Sequence, residues 1–142
     1  MDDFLQKLRA GLTTANLDQW LAWAQLFAQY CPEECVLGLY GDLGSGKTAF
    51  VKGLGKAWGI QTVRSPSFNI VDFHIGQRRL AHMDAYRLQN TNLSSFGLDD
   101  FLIKPYCLAI EWPEILHNTI PLNFKLHFSV SNNHHHVQLL GR

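Results

Sequence analysis

Cys35-Val36-Leu37-Gly38-Leu39-Tyr40 runs directly into Gly41-Asp42-Leu43-Gly44-Ser45-Gly46-Lys47-Thr48. The first six residues form a continuous apolar run, as expected of a strand buried on both faces in a parallel sheet. The next eight satisfy G-x-x-x-x-G-K-[ST], a phosphate-binding loop. From residue 47 to about 58 the spacing turns helical, with Phe50, Leu54 and Ala57 on one side and Gly59 at the stop. The motif thus lies between a predicted buried strand and a predicted helix, the context that gives it physical meaning. Its glycines let main-chain N–H groups wrap a phosphate, and the helix N-terminus adds positive dipole. Lys47 then reaches the β- and γ-phosphates, and the Thr48 hydroxyl ligates Mg²⁺.

Upstream of this unit, Phe4, Leu5, Leu8 and Leu12 recur at helical spacing, although so short a segment could equally pair as an edge strand. Asn16 is placed to cap a helix from residue 17 to about 30. Leu17, Leu21, Ala24 and Ala28 mark one stripe of it, Trp20, Trp23 and Phe27 widen the stripe, and Pro32 follows the end. Downstream, residues 68 to 73 and 80 to 83 read as strands joined at Gly76-Gln77, and 93 to 102 as an ambiguous, short helical segment. Residues 106 to 110 form a second continuous apolar run. Leu126-His127-Phe128-Ser129-Val130 alternates before Ser131-Asn132-Asn133 and a last strand to Leu140, which predicts an antiparallel hairpin. No repeat, low-complexity tract or linker interrupts the pattern. The expectation is one α/β domain over 1–142, three-layered around a mixed central sheet.

Composition narrows the partners. The chain has 142 residues, 12 Lys+Arg and 12 Asp+Glu, so no global basic field draws it to nucleic acid or acidic membrane. The charge is nonetheless uneven: residues 1–35 sum to −3 (two basic, five acidic) and 41–87 to +4 (seven basic, three acidic). Only 17% of residues are charged while 12% are aromatic, which reads as a large core or an apolar surface that meets a partner. There is no basic-then-apolar leader after Met1-Asp2-Asp3 and no apolar run long enough to span a bilayer, so a cytoplasmic location without membrane attachment is expected. Cys31, Cys35 and Cys107 make neither an even set nor a Cys-x-x-Cys pair, and are read as reduced and buried.

A phosphate loop with magnesium calls for a carboxylate, and ligands of open α/β sheets gather at the carboxyl ends of strands. Two acids stand there: Asp84 after Leu80-Ala81-His82-Met83, and Glu111 after Cys107-Leu108-Ala109-Ile110. Which lies nearer the metal cannot be read from the pattern.

With these segments in hand, the chain resembles the TsaE (YjeE) family of P-loop NTPase fold. The resemblance rests on the loop itself, Ser65-Pro66-Ser67-Phe68, His82-Met83-Asp84-Ala85-Tyr86-Arg87-Leu88 and Ile110-Glu111-Trp112-Pro113-Glu114, in order and spacing over nearly the whole chain. Ser67 stands where the family usually has Thr, and Met83 where it usually has an aromatic; Ser67 keeps the hydroxyl, and Met83 suits a core. The resemblance implies a Mg-dependent ATPase that acts with TsaB and TsaD to make N6-threonylcarbamoyladenosine at position 37 of tRNA, with tRNA reached through that complex. It implies Gly41 to Thr48 and Ser67 around ATP, with Trp112 beside the nucleotide. Lys47, Asp84 and Glu111 would be catalytic, and Thr48, Asp84 and Glu111 would hold the metal.

Other readings are weaker. A small-molecule kinase needs an acceptor pocket and an arginine-bearing lid, for which only Arg78 and Arg79 are at hand, and a GTPase needs Asn-Lys-x-Asp, which is absent. Arg87 is read as an ion-pair partner of an acid or a phosphate ligand. Arg64, Arg78 and Arg79 are read as a solvated face or a basic rim. His134-His135-His136 alternates across a strand, so at most two rings share a side and a metal site is not expected.

Overall fold

The strand that feeds the glycine loop stands in the middle of a seven-stranded mixed sheet. The computed structural model describes residues 3–63, 70–88, 97–116 and 119–141. Among these, the strands are β1 (Leu12–Thr14), β2 (Glu34–Tyr40), β3 (Val71–Ile75), β4 (Arg79–Asp84), β5 (Tyr106–Glu111), β6 (Phe124–Ser131) and β7 (His134–Leu140), in spatial order β1-β7-β6-β2-β5-β4-β3. The central four, β6-β2-β5-β4, are parallel, and antiparallel partners close both sides: β3 on β4, β7 on β6 and β1 on β7.

Alternation along the strands divides the apolar side chains between two faces. Leu37 and Leu39 of β2, Cys107 and Ala109 of β5, Leu126 and Phe128 of β6 and Leu80 of β4 join one cluster. Helix α1 (Asp3–Ala10) contributes Leu8, α2 (Leu17–Ala28) contributes Trp20, Ala24 and Phe27, and α3 (Lys47–Ala57) contributes Phe50, Val51 and Leu54. Ala81, Met83, Leu108 and Ile110 form the second cluster on the opposite face. Its cover among the described residues is thin: the four-residue helix α4 (Leu98–Phe101) and the 3₁₀ turns Ala85–Leu88 and Pro113–Leu116. Among the described residues the expected third layer is therefore a set of short pieces rather than long helices. All three cysteines are free and buried, and Met83 lies fully inside. No helix among the described residues is long and apolar enough to cross a membrane.

Three local readings are refined. The segment from residue 4 to 12 is both things its pattern allowed: α1 ends at Ala10, Gly11 turns the chain at φ +105°, and β1 pairs with β7. In α2 the Asn16 side chain accepts from the Gln19 N–H as expected, but Leu17, read as part of the buried stripe, is 62% exposed. The buried stripe is Trp20-Ala24-Phe27-Ala28, because the Trp20 and Phe27 rings wedge edge-on against Phe50, Phe128 and Phe124 and rotate the helix toward the sheet. Each such ring pair adds about 0.5–1.5 kcal/mol beyond area burial. The final hairpin turns on Asn132-Asn133, with φ of 51° and 62°, the doubly left-handed two-residue turn that matches strand twist. The strand read over 68–73 is Val71–Ile75, and its residues 68 and 69 lie outside the described residues, as do 93–96 of the ambiguous segment.

Candidate active site

Two glycines fix the shape of the loop after β2. Gly41 has φ +143°, and a Cβ there would strike the Phe128 carbonyl oxygen; Gly46 has φ +106°, and a Cβ there would come within 2.8 Å of the Trp20 ring. Trp20 also donates from Nε1 to the Gly46 carbonyl at 3.1 Å. The loop is thus clamped from below by β6 and α2. Its tip is open, with Leu43 fully extended into solvent and Asp42 and Gly44 exposed. Ser45 is buried, and its carbonyl lies 3.2 Å from His135 Nδ1.

Lys47, the first residue of α3, is only 4% exposed. Its ammonium donates to the Gly41 carbonyl, stands 3.9 Å from Glu111 Oε1 and lies 4.6 Å from the centre of the Trp112 ring. The Thr48 hydroxyl donates to Glu111 Oε2 at 3.4 Å. Parallel pairing of β5 with β2 is what delivers Glu111 to the loop, since Leu39 registers against Glu111 just before the chain enters Gly41. The same Oε2 sits 2.6 Å from His82 Nε2. Burial pushes the Glu111 carboxyl up, but the His82 hydrogen bond and electrostatic pull, the Lys47 charge and the Thr48 hydroxyl outweigh it and hold the acid below its ordinary range. Trp112 follows at φ 58°, a left-handed backbone rare for a bulky residue and costing on the order of 1–3 kcal/mol. That bend turns its ring onto Lys47 and against Tyr86, 5.6 Å away.

The expected residues are thus not all brought to one point. Lys47, Thr48, Glu111 and Trp112 converge. Asp84 registers beside Glu111, yet its carboxylate accepts from the Tyr86 N–H at 3.1 Å and pairs with Arg87 Nε at 3.4 Å. Arg87 is therefore an ion-pair partner. Ser67 and Arg64 lie outside the described residues. Arg78 donates to the carbonyls of Cys31, Pro32 and Tyr106 and covers Trp58, while Arg79 donates to the Phe101 carbonyl, so both are tied into the fold. Sequence reasoning gave neither His82 nor His135 this place: His82 was read only as part of a strand and its motif, and His135 only as one of three alternating histidines. The signal for His82 was parity: two residues before Asp84 on a strand, it shares that side chain's face.

Oxygen donors dominate the mouth of the site. Among the described residues no group of three or more His, Cys, Asp or Glu could hold a metal by itself. A hard cation shared between the Thr48 hydroxyl, a carboxylate and the ligand's own oxygens fits this donor set. Beyond Gly46 opens a cavity of about 140 Å³, lined by Thr14, Asn16, Trp20, Ala49, Asn133 and His135 among others.

Comparison with known proteins bears on this geometry. Residues 14–139 match the family model TsaE, threonylcarbamoyl adenosine biosynthesis protein TsaE. The chain is 36% identical over 110 residues to the tRNA threonylcarbamoyladenosine biosynthesis protein TsaE of Bacillus subtilis (strain 168), covering 76% of this chain and 69% of that one. It is 36% identical over 110 residues to the protein of the same name from Borreliella burgdorferi, covering 72% and 79%. The crystal structure of YdiB from Bacillus subtilis superposes with a TM-score of 0.72 at 29% identity, over 91% of this chain and 82% of that one.

Proposed function

The chain belongs to the TsaE family of tRNA threonylcarbamoyladenosine biosynthesis proteins, and from that premise we propose that it is the family's Mg-dependent ATPase. It is a single P-loop NTPase domain that binds and hydrolyses ATP in the cytoplasm, together with TsaB and TsaD, and meets tRNA through that complex. The observation that carries this reading is the meeting of Glu111 with both Lys47 and Thr48 at the mouth of the glycine loop. Phosphoryl transfer asks the protein for positioning and charge, and these residues supply both.

The loop N–H groups from Gly41 to Thr48, Asp42, Leu43, Gly44 and Ser45 included, receive the phosphates. Lys47 gives up its contacts with Gly41 and Glu111 to take the β- and γ-phosphate oxygens. Thr48, with Glu111 and Asp84 directly or through water, would hold magnesium, which would supply positive charge against the phosphates. Glu111 orients the attacking water and accepts its proton, and the Trp112 ring shields that carboxylate from bulk solvent. The base enters the cavity beside Gly46, between Trp20, Asn133 and His135. Ser67 adds its hydroxyl near the nucleotide.

Engagement of Arg78 and Arg79 by main-chain carbonyls weighs against the kinase alternative, which would need them in a lid. Phosphate release from ATP and from GTP, without acceptor and then with TsaB and TsaD, tests the proposal. Slow release from ATP by the chain alone, accelerated by the partners, is expected. Turnover above about 1 s⁻¹, near ordinary enzyme rates, in the pure chain would overturn its partner dependence.

A further inference from the structure

Glu111 makes three side-chain contacts among the described residues, and they are not equivalent. Lys47 and Thr48 belong to the glycine loop, and on the proposed reading phosphate and magnesium claim them when ATP binds. The third partner, His82, lies on β4, outside the glycine loop, and is 0% exposed. In the parallel register His82 sits beside Ala109, two residues before Glu111. The methyl group at Ala109 leaves the imidazole room to lean along the strand until Nε2 reaches Glu111 Oε2 at 2.6 Å. Nδ1 finds no hydrogen-bond partner among the described residues. The ring's hydrogen bonding among the described residues is thus directed at Glu111. The contact is therefore anchored from inside the sheet and engages a single carboxylate oxygen.

We propose that His82 is the positioning residue of this site: it donates from Nε2 to Glu111 Oε2, keeps that contact when nucleotide releases Lys47 and Thr48, and so presents Oε1 to the water. The inference rests on the proposed role of Glu111. His82 touches neither phosphate nor water. Its contribution is to rate through geometry, because a carboxylate displaced by about 1 Å can lose on the order of 10²-fold in a positioned reaction.

Two side chains separate this role from simple packing. Gln places its amide nitrogen near the position of His Nε2, whereas Asn places it near Nδ1 and falls short of Glu111; both are polar and buried alike. His82→Gln should keep turnover within about threefold of the parent, and His82→Asn should lose at least tenfold in kcat at saturating Mg-ATP with KM unchanged, both assayed on the full chain with TsaB and TsaD. Equal kcat in the two variants would overturn the proposal, as would a loss confined to KM. Glu111→Gln run alongside distinguishes the failures: if it hydrolyses at the parent rate, the role of Glu111 is wrong, and if it is slow while His82→Asn is not, only the His82 inference fails. A readout without turnover is the imidazole N–H in proton NMR. A slowly exchanging downfield signal, labelled through ¹⁵N-histidine, is expected in the ligand-free chain, persisting with a non-hydrolysable ATP analogue and Mg²⁺ and lost in Glu111→Ala. A signal that vanishes on loading, or is indifferent to Glu111→Ala, contradicts the proposal.

Discussion

β4 ends Leu80-Ala81-His82-Met83-Asp84 and β5 ends Cys107-Leu108-Ala109-Ile110-Glu111, and the two strands run parallel with Asp84 registered against Glu111. By pattern they are twins: four largely apolar residues and an acid at the carboxyl end. Their carboxylates nevertheless serve different neighbourhoods. β5 lies against β2, so Glu111 emerges beside Lys47 and Thr48. β4 is one strand further out, about 4.8 Å, and runs straight into a 3₁₀ turn whose Tyr86 N–H needs an acceptor, so Asp84 closes that turn and pairs with Arg87. Strand ends deliver acids to an edge; the adjacent strand decides which acid meets the glycine loop.

The hardest test of this contrast is hydrolysis. Glu111→Gln keeps shape and removes charge, so ATP should bind nearly as before while partner-stimulated phosphate release falls at least 10²-fold. Asp84→Asn should fall far less. Equal losses in the two variants would erase the distinction between the strand ends. Affinity comes next: Lys47→Ala removes a charge-assisted phosphate contact of about 1.5–3 kcal/mol, so calorimetry should show ATP binding weakened at least tenfold. Unchanged affinity would remove the phosphate loop from the argument altogether. Lys47 also contacts Glu111 and Trp112, so its loss tests whether β5, rather than β4, is coupled to the loop.

What the sequence made legible was local, and what it hid was pairing between distant strands. Positive φ at Gly41, Gly44 and Gly46 follows from residue type, and so does the helix that starts at Lys47. The Asn16 cap and the Asn-Asn hairpin are equally local. By contrast, the His82 contact with Glu111 spans 29 residues and exists only through the β4–β5 register, and Leu17 was misplaced because the rings that rotate α2 lie on α3 and β6. Asp84 and Glu111 could not be told apart for the same reason.

A smaller effect separates the acids by magnesium. Asp84 is proposed to serve the metal without touching Thr48, so Asp84→Asn should raise the Mg²⁺ concentration for half-maximal hydrolysis by several-fold, read by titration at saturating ATP. Its stability should change little: Asn caps a turn about as well as Asp, and the Arg87 partner is half-exposed, where such pairs contribute about 0–1 kcal/mol. A Mg²⁺ requirement equal to the parent's would leave Asp84 with the turn alone.

The least conspicuous difference is in acid. Burial alone would raise the Glu111 carboxyl, but His82, Lys47 and Thr48 together bring it below its ordinary value of 4.5. A group whose folded value is depressed stabilises the native state fully above its unfolded value and loses that contribution as pH falls through the folded one. Glu111→Gln cannot titrate, so it lacks this dependence while keeping an oxygen for His82. The stability of the parent relative to Glu111→Gln, from urea unfolding of the ligand-free chains, should therefore hold level from pH 7 to about pH 5 and then decline steadily toward pH 3. A parent-minus-variant difference that grows on acidification would reverse the sign of the shift: burial would then dominate at the end of β5, and the contrast with β4 would lose its electrostatic basis.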